Sequence, residues 1–182
     1  MARFDAQASI KYIIGWSAVF FVRLLPGRPP NLEPVLATLM PFAKQYGPDG
    51  AFVFGAASIG LFDAATGRLG QWTVITALAY GLVGVGAWFY LRGRTPGIVV
   101  WTTYGVIGTI VYDALTGLTT GPLLFGQSLR DAAIGQIPFT LAHLAGTVAL
   151  SLTLSPALWK WVTTNRRLEL AAVKSQLAVV LR

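Results

Sequence analysis

Residues 35–66, VLATLMPFAKQYGPDGAFVFGAASIGLFDAAT, decide how this chain is arranged. Read as a single helix, these 32 residues would extend about 48 Å at roughly 1.5 Å per residue, against a hydrocarbon core of about 30 Å. Gly47-Pro48-Asp49-Gly50 interrupts the run at its middle with the residues of a tight turn. Two short spans, 35–46 and 51–66, are therefore expected.

Outward from this stretch, further apolar runs cover 10–25, 72–91, 98–116 and 134–154. The whole chain of 182 residues is 54% hydrophobic and only 12% charged, with a mean hydropathy of +0.61. A soluble domain carries about a quarter charged residues, so lipid is the expected solvent. The first run ends in Arg23 and Pro26 without a small-x-small cleavage site, so it reads as a span, not a signal peptide. The expectation is an all-α integral membrane protein: a six-transmembrane-helix bundle over 1–155, then a cytoplasmic amphipathic tail over 156–182. Trp159, Trp161, Arg166, Arg167, Leu170, Val173, Leu177 and Leu181 give that tail its interfacial pattern.

The chain has no cysteine, which excludes disulfides, thiolate metal sites and cysteine nucleophiles. With one histidine, no metal centre or cofactor is expected. The net charge of +7 comes from basic residues scattered at the ends of apolar runs, so the partner is lipid and not nucleic acid. With both termini in the cytoplasm, ten of the 14 basic residues fall inside and four outside: Arg23, Arg28, Arg68 and Arg130. A five-span alternative leaves Lys44 within the membrane, where a central lysine costs about 2.5–3.5 kcal/mol. Six spans in the cell's inner (plasma) membrane, both ends inside, is the better solution.

Phe62-Asp63-Ala64-Ala65-Thr66-Gly67 is echoed fifty residues later by Tyr112-Asp113-Ala114-Leu115-Thr116-Gly117. Gly67 and Gly117 look like helix-ending residues, which places both aspartates in a last turn at the outer boundary. An aspartate there opposes the helix dipole and needs a partner, for which the outer arginines are available. The alternatives are structural end-caps or direct ligand contacts.

Polar groups gather at that same boundary. Trp72, Thr76 and Tyr80 lie four residues apart on one helix face, and Gln136, Thr140 and His143 form a polar stripe on another. Pro138 would free carbonyls beside that stripe. The connection Arg28-Pro29-Pro30-Asn31-Leu32-Glu33-Pro34 is stiffened by three prolines, and a preordered loop loses little entropy on closing over a ligand. Together these describe an outward-opening small-molecule pocket with aromatic walls and a loop for a roof.

The order of features is a first span, a Pro-rich polar loop, a short second span, a Gly-rich third span ending in Asp, a fourth opening on Trp-Thr, and a sixth carrying Gly135-Gln136-Ile137-Pro138-Phe139-Thr140. Over residues 8 to 160 this layout resembles the substrate-binding S component of energy-coupling factor (ECF) transporters. The resemblance implies capture of a vitamin or similar micronutrient and docking on a transmembrane coupling subunit driven by two ABC-type ATPases. It implies a roofing loop with Arg28, Asn31 and Glu33. Further substrate contacts would come from Asp63, Trp72, Thr76, Tyr80, Asp113, Gln136, Thr140 and His143, with no catalytic residue. The family's Ala-x-x-x-Ala docking face is missing from the first span, which offers only Gly15 and Ala18, three apart. Ala56, Gly60 and Ala64 give a four-spaced small face on the third span.

Two other classes compete. An intramembrane aspartate-dependent enzyme would use Asp63 and Asp113 as paired carboxylates, and Tyr112-Asp113 matches half of the aspartyl protease pattern, but Gly-x-Gly-Asp is missing. A ligand-free membrane assembly protein is the other. No Gly-x-x-x-x-Gly-Lys-Ser/Thr occurs, so ATP hydrolysis is expected from partner subunits.

Overall fold

A computed structural model describes residues 6–180. Arg3 and Arg182, two of the cations assigned to the inside, and Leu181 of the expected tail lie outside them. Helices make up the described structure, with no strand among the described residues. α1 spans Ser9–Leu24, α2 Val35–Ala65, α3 Gln71–Leu91, α4 Ile98–Phe125, α5 Leu129–Leu158 and α6 Leu170–Val180. Among the described residues, three segments are long and apolar enough to cross a membrane: Gln71–Leu91, Ile98–Phe125 and Leu129–Thr163.

α2 is bent where the sequence suggested a break. Gly47 leaves helical geometry at φ 79°, ψ −175°, a conformation glycine adopts without steric cost, and Pro48 follows it. Before the bend, every residue from Val35 to Ala43 is buried. A helix apolar on all sides belongs inside a bundle. Its neighbours bear this out: Leu36 packs on bare backbone at Gly108 of α4, and Phe42 stacks on Phe54 at 4.3 Å. Ser155 of α5 donates to the Ala37 carbonyl at 2.7 Å. This half is the axis around which the other helices pack, so its short length is no defect. The second half lies so close to α3 that a Cβ on Gly55 would meet the Tyr80 carbonyl oxygen at 2.5 Å.

The ends of the bundle differ in chemistry. At one, Lys44 donates to the carbonyls of Leu91, Arg92 and Arg94 at 2.8–3.1 Å, closing the C-terminus of α3 with a cation. Lys11, buried, donates to the Thr163 carbonyl at 3.1 Å, and Gln7 accepts from the Ala171 amide at 2.9 Å. The beginning and end of the described chain thus meet here. The opposite end carries the 25–34 connection with Glu33, while Glu169 lies 3.7 Å from Lys11 at the first end.

The echo does not hold at the level of structure. Asp63 does sit in a last turn, with Gly67 left-handed at φ 68° behind it. Gly117 ends nothing: α4 runs on to Phe125 and closes on left-handed Gly126. The reason is packing, because a Cβ on Gly117 would lie 1.7 Å from Oε1 of Gln136, whose amide rests on the bare helix backbone. Asp113 is consequently a mid-helix residue, not a boundary one. α5 also starts early, capped by Ser128, whose hydroxyl oxygen accepts from the Asp131 amide at 3.1 Å.

Candidate functional site

The polar connection is pinned at each end of its length. Arg23, near the end of α1, grips Glu33 with two nitrogens, Nε at 3.1 Å from both carboxylate oxygens and Nη2 at 2.8 Å from Oε2. A planar guanidinium matches a carboxylate in this bidentate way, and both side chains are largely buried. Glu33 Oε1 also accepts from the Val35 amide at 3.2 Å, which caps α2. Asn31 adopts φ 61°, and its amide nitrogen reaches the Phe139 carbonyl at 3.4 Å. A Cβ on Gly146 would lie 3.0 Å from both the Asn31 carbonyl oxygen and the Leu32 Cα, so the loop backbone rests directly on α5. Arg28 closes the loop on itself by donating to the Leu32 carbonyl.

Beneath the loop lies a cavity of about 110 Å³. Its roof is Arg28, Asn31 and Glu33; its walls are Tyr80 of α3, Tyr112 of α4, and Phe139 and His143 of α5. Tyr80 and Tyr112 stack at 4.0 Å with an interplanar angle of 24°. The His143 ring stands edge-on to Tyr112 at 5.9 Å and to Phe139 at 6.0 Å. Behind the wall, Nδ1 of His143 lies 2.8 Å from Oδ1 of Asp113, with the two side chains 3% and 1% exposed. With Nδ1 engaged by Asp113, the second ring nitrogen, Nε2, is left on the opposite side of the imidazole. His143 Nε2 and Asp113 Oδ2 are buried without a hydrogen-bond partner, and the buried Tyr80 hydroxyl interacts with Tyr112. Groups of this kind are normally satisfied, and an exception calls for an explanation.

The sequence-predicted residues divide. Arg28, Asn31, Glu33, Tyr80 and His143 converge on this cavity, with Asp113 behind His143. Gln136 and Thr140 do not enter it. Gln136 donates to Thr140 at 3.2 Å, and the pair lines a second, open groove of about 340 Å³ between α4 and α5. Asp113, Ile110, Leu118 and Leu141 also line that groove, so the Asp113–His143 pair separates one space from the other. Asp63 stays with its own turn, accepting from the Thr73 hydroxyl at 2.7 Å. Thr76 is buried and donates back to the Trp72 carbonyl at 2.8 Å, while Trp72 is 51% exposed. The expected arginine partners for the aspartates are not the ones found: Arg23 holds Glu33, and Asp113 holds His143.

Sequence reasoning missed Tyr112 and Phe139 as wall residues. Tyr112 was visible as the residue beside Asp113, but a helix neighbour points about 100° away and gave no sign of facing the same cavity. Phe139 is one residue from Thr140, again off the polar stripe. Neither a family model, nor a curated protein, nor a solved structure matches the chain.

Proposed function

We propose that this protein is a membrane-embedded substrate-binding subunit that captures a vitamin-like or other small micronutrient from outside the cell. The carrying observation is the roofed cavity whose walls bring together the buried Tyr80 hydroxyl and His143, whose Nε2 is buried without a partner. Burying a polar group without a partner costs about 1–3 kcal/mol, an expense a bound polar ligand removes. The Lys11, Lys44, Arg92 and Arg94 end faces the cytoplasm by the positive-inside rule, which turns the loop-covered cavity outward. Six membrane crossings follow if the two halves of α2 are counted separately. The layout likeness to ECF S components supplies the rest of the proposal: a transmembrane coupling subunit and two ABC-type ATPases provide the energy this chain has no motif to harvest.

Capture is favoured over aspartate chemistry because Asp63 and Asp113 engage different partners, Thr73 and His143. Mass spectrometry of small molecules released from the purified, detergent-solubilised chain tests the proposal. The expected result is one compound retained near one equivalent and depleted by His143→Leu. A chain that purifies empty and takes up nothing from a cell extract would overturn it.

A further inference from the structure

The ionisable side chains that border the cavity differ in what they have left to offer a ligand, a point that bears on its charge and rests on reading the cavity as a capture site. Glu33 is committed. Both of its carboxylate oxygens accept from Arg23, and Oε1 accepts again from the Val35 amide. His143 is engaged by Asp113 behind the wall. A cationic ligand therefore meets no free carboxylate at the roof.

Arg28 is in the opposite position. Its Nη1 donates to the Leu32 carbonyl within the loop, and among the described residues no carboxylate lies within ion-pair distance of it. That bond holds the guanidinium in place and leaves its Nε–Nη2 edge without a protein partner. Arg23 uses the same edge to grip Glu33, which is how a guanidinium receives a carboxylate with two parallel bonds. The cavity is half open and, at about 110 Å³, smaller than the roughly 150 Å³ space that admits a whole benzene ring, so a ligand enters it only in part. What enters meets aromatic surface: Phe139, and Tyr80 stacked on Tyr112. We propose that the cavity takes a small ligand with a flat ring and a carboxylate, the ring against these aromatic walls and the carboxylate at the mouth on the Nε–Nη2 edge of Arg28.

Three probes of one shape and different charge test the class on the full-length solubilised chain, stripped of retained ligand: benzoate, benzamide and benzamidine, titrated by saturation-transfer NMR. Benzoate is expected to bind about three- to fivefold more tightly than benzamide, the range of an ion pair at a partly exposed site, and benzamidine least tightly. Arg28→Gln is expected to erase the difference between benzoate and benzamide, and Arg28→Lys to keep part of it. On the unaltered chain, raising salt from about 0.1 M to about 1 M is expected to shrink the same difference. A preference for benzamide or benzamidine, a benzoate preference that survives Arg28→Gln or high salt, or no saturable binding by any probe would overturn the ligand class. Displacement of benzoate by phosphatidylglycerol micelles would overturn it too, by giving the Arg28 edge to a lipid headgroup. The capture reading is judged separately: a protein that retains a compound without a carboxylate keeps it and loses this class, and one that purifies empty and takes up nothing loses both.

Discussion

The roofed cavity and the α4–α5 groove share a wall, the Asp113–His143 pair, and differ in character. The groove is three times the larger, about 340 Å³ against 110 Å³, yet it is open and bordered by Ile110, Leu118 and Leu141. Helices α4 and α5 both qualify as membrane-crossing, so hydrocarbon fills such a surface without cost. The smaller space is roofed by a clamped loop and leaves a histidine nitrogen unpaired. Size does not identify a recognition site; an unmet hydrogen bond in a roofed, aromatic-walled place does.

The comparison is broken most severely at the shared wall. Asp113→Ala removes the partner of Nδ1 and leaves a buried imidazole nitrogen unsatisfied. Losing one member of a buried hydrogen-bonded pair costs about 1–3 kcal/mol. Denaturant unfolding in detergent measures it, and a double-mutant cycle with His143→Ala is expected to show a coupling of about 1 kcal/mol or more. Additive effects would mean that the two side chains are neighbours without being partners.

The two spaces are told apart by a matched pair of small changes. Tyr80→Phe removes one buried hydroxyl from the cavity wall and keeps the ring stacked on Tyr112, so the fold is expected to keep most of its stability while ligand retention falls about tenfold, or about 1.4 kcal/mol. Thr140→Val does the same to a hydroxyl in the groove and is expected to leave retention unchanged. Equal losses from both would merge the two spaces into one site.

Much of this was legible in the sequence, and the failures have definite causes. The bend at Gly47 was readable because glycine followed by proline cannot continue a helix smoothly. The loop from Arg28 to Glu33 was readable because prolines and charges have no place in a lipid-facing helix. The split of the polar stripe was not. Gln136, Thr140 and His143 share a helix face, but that face is broad, and the neighbouring helix α4 meets it along its middle, at Asp113 and Gly117. His143 falls on one side of this seam and Gln136 on the other. Gly117 misled for a related reason: helix-ending and helix-packing glycines look alike until the neighbour is known.

The smallest expected effect concerns Trp72, which the sequence placed at the pocket mouth beside Thr76 and Tyr80. Those three residues share one helix face, yet Tyr80 is buried against Tyr112 while Trp72, eight residues nearer the end of α3, stands half exposed. An indole in that position suits a membrane–water interface, where its ring lies among headgroups. Trp72→Leu is therefore expected to change stability by no more than about 0.5 kcal/mol, as for surface substitutions generally, and to leave ligand retention untouched. A clear drop in retained ligand would extend the mouth of the cavity along α3 to its first turn. That outcome would make the exposed ring part of the entry path and the loop from Arg28 to Glu33 only one side of the opening.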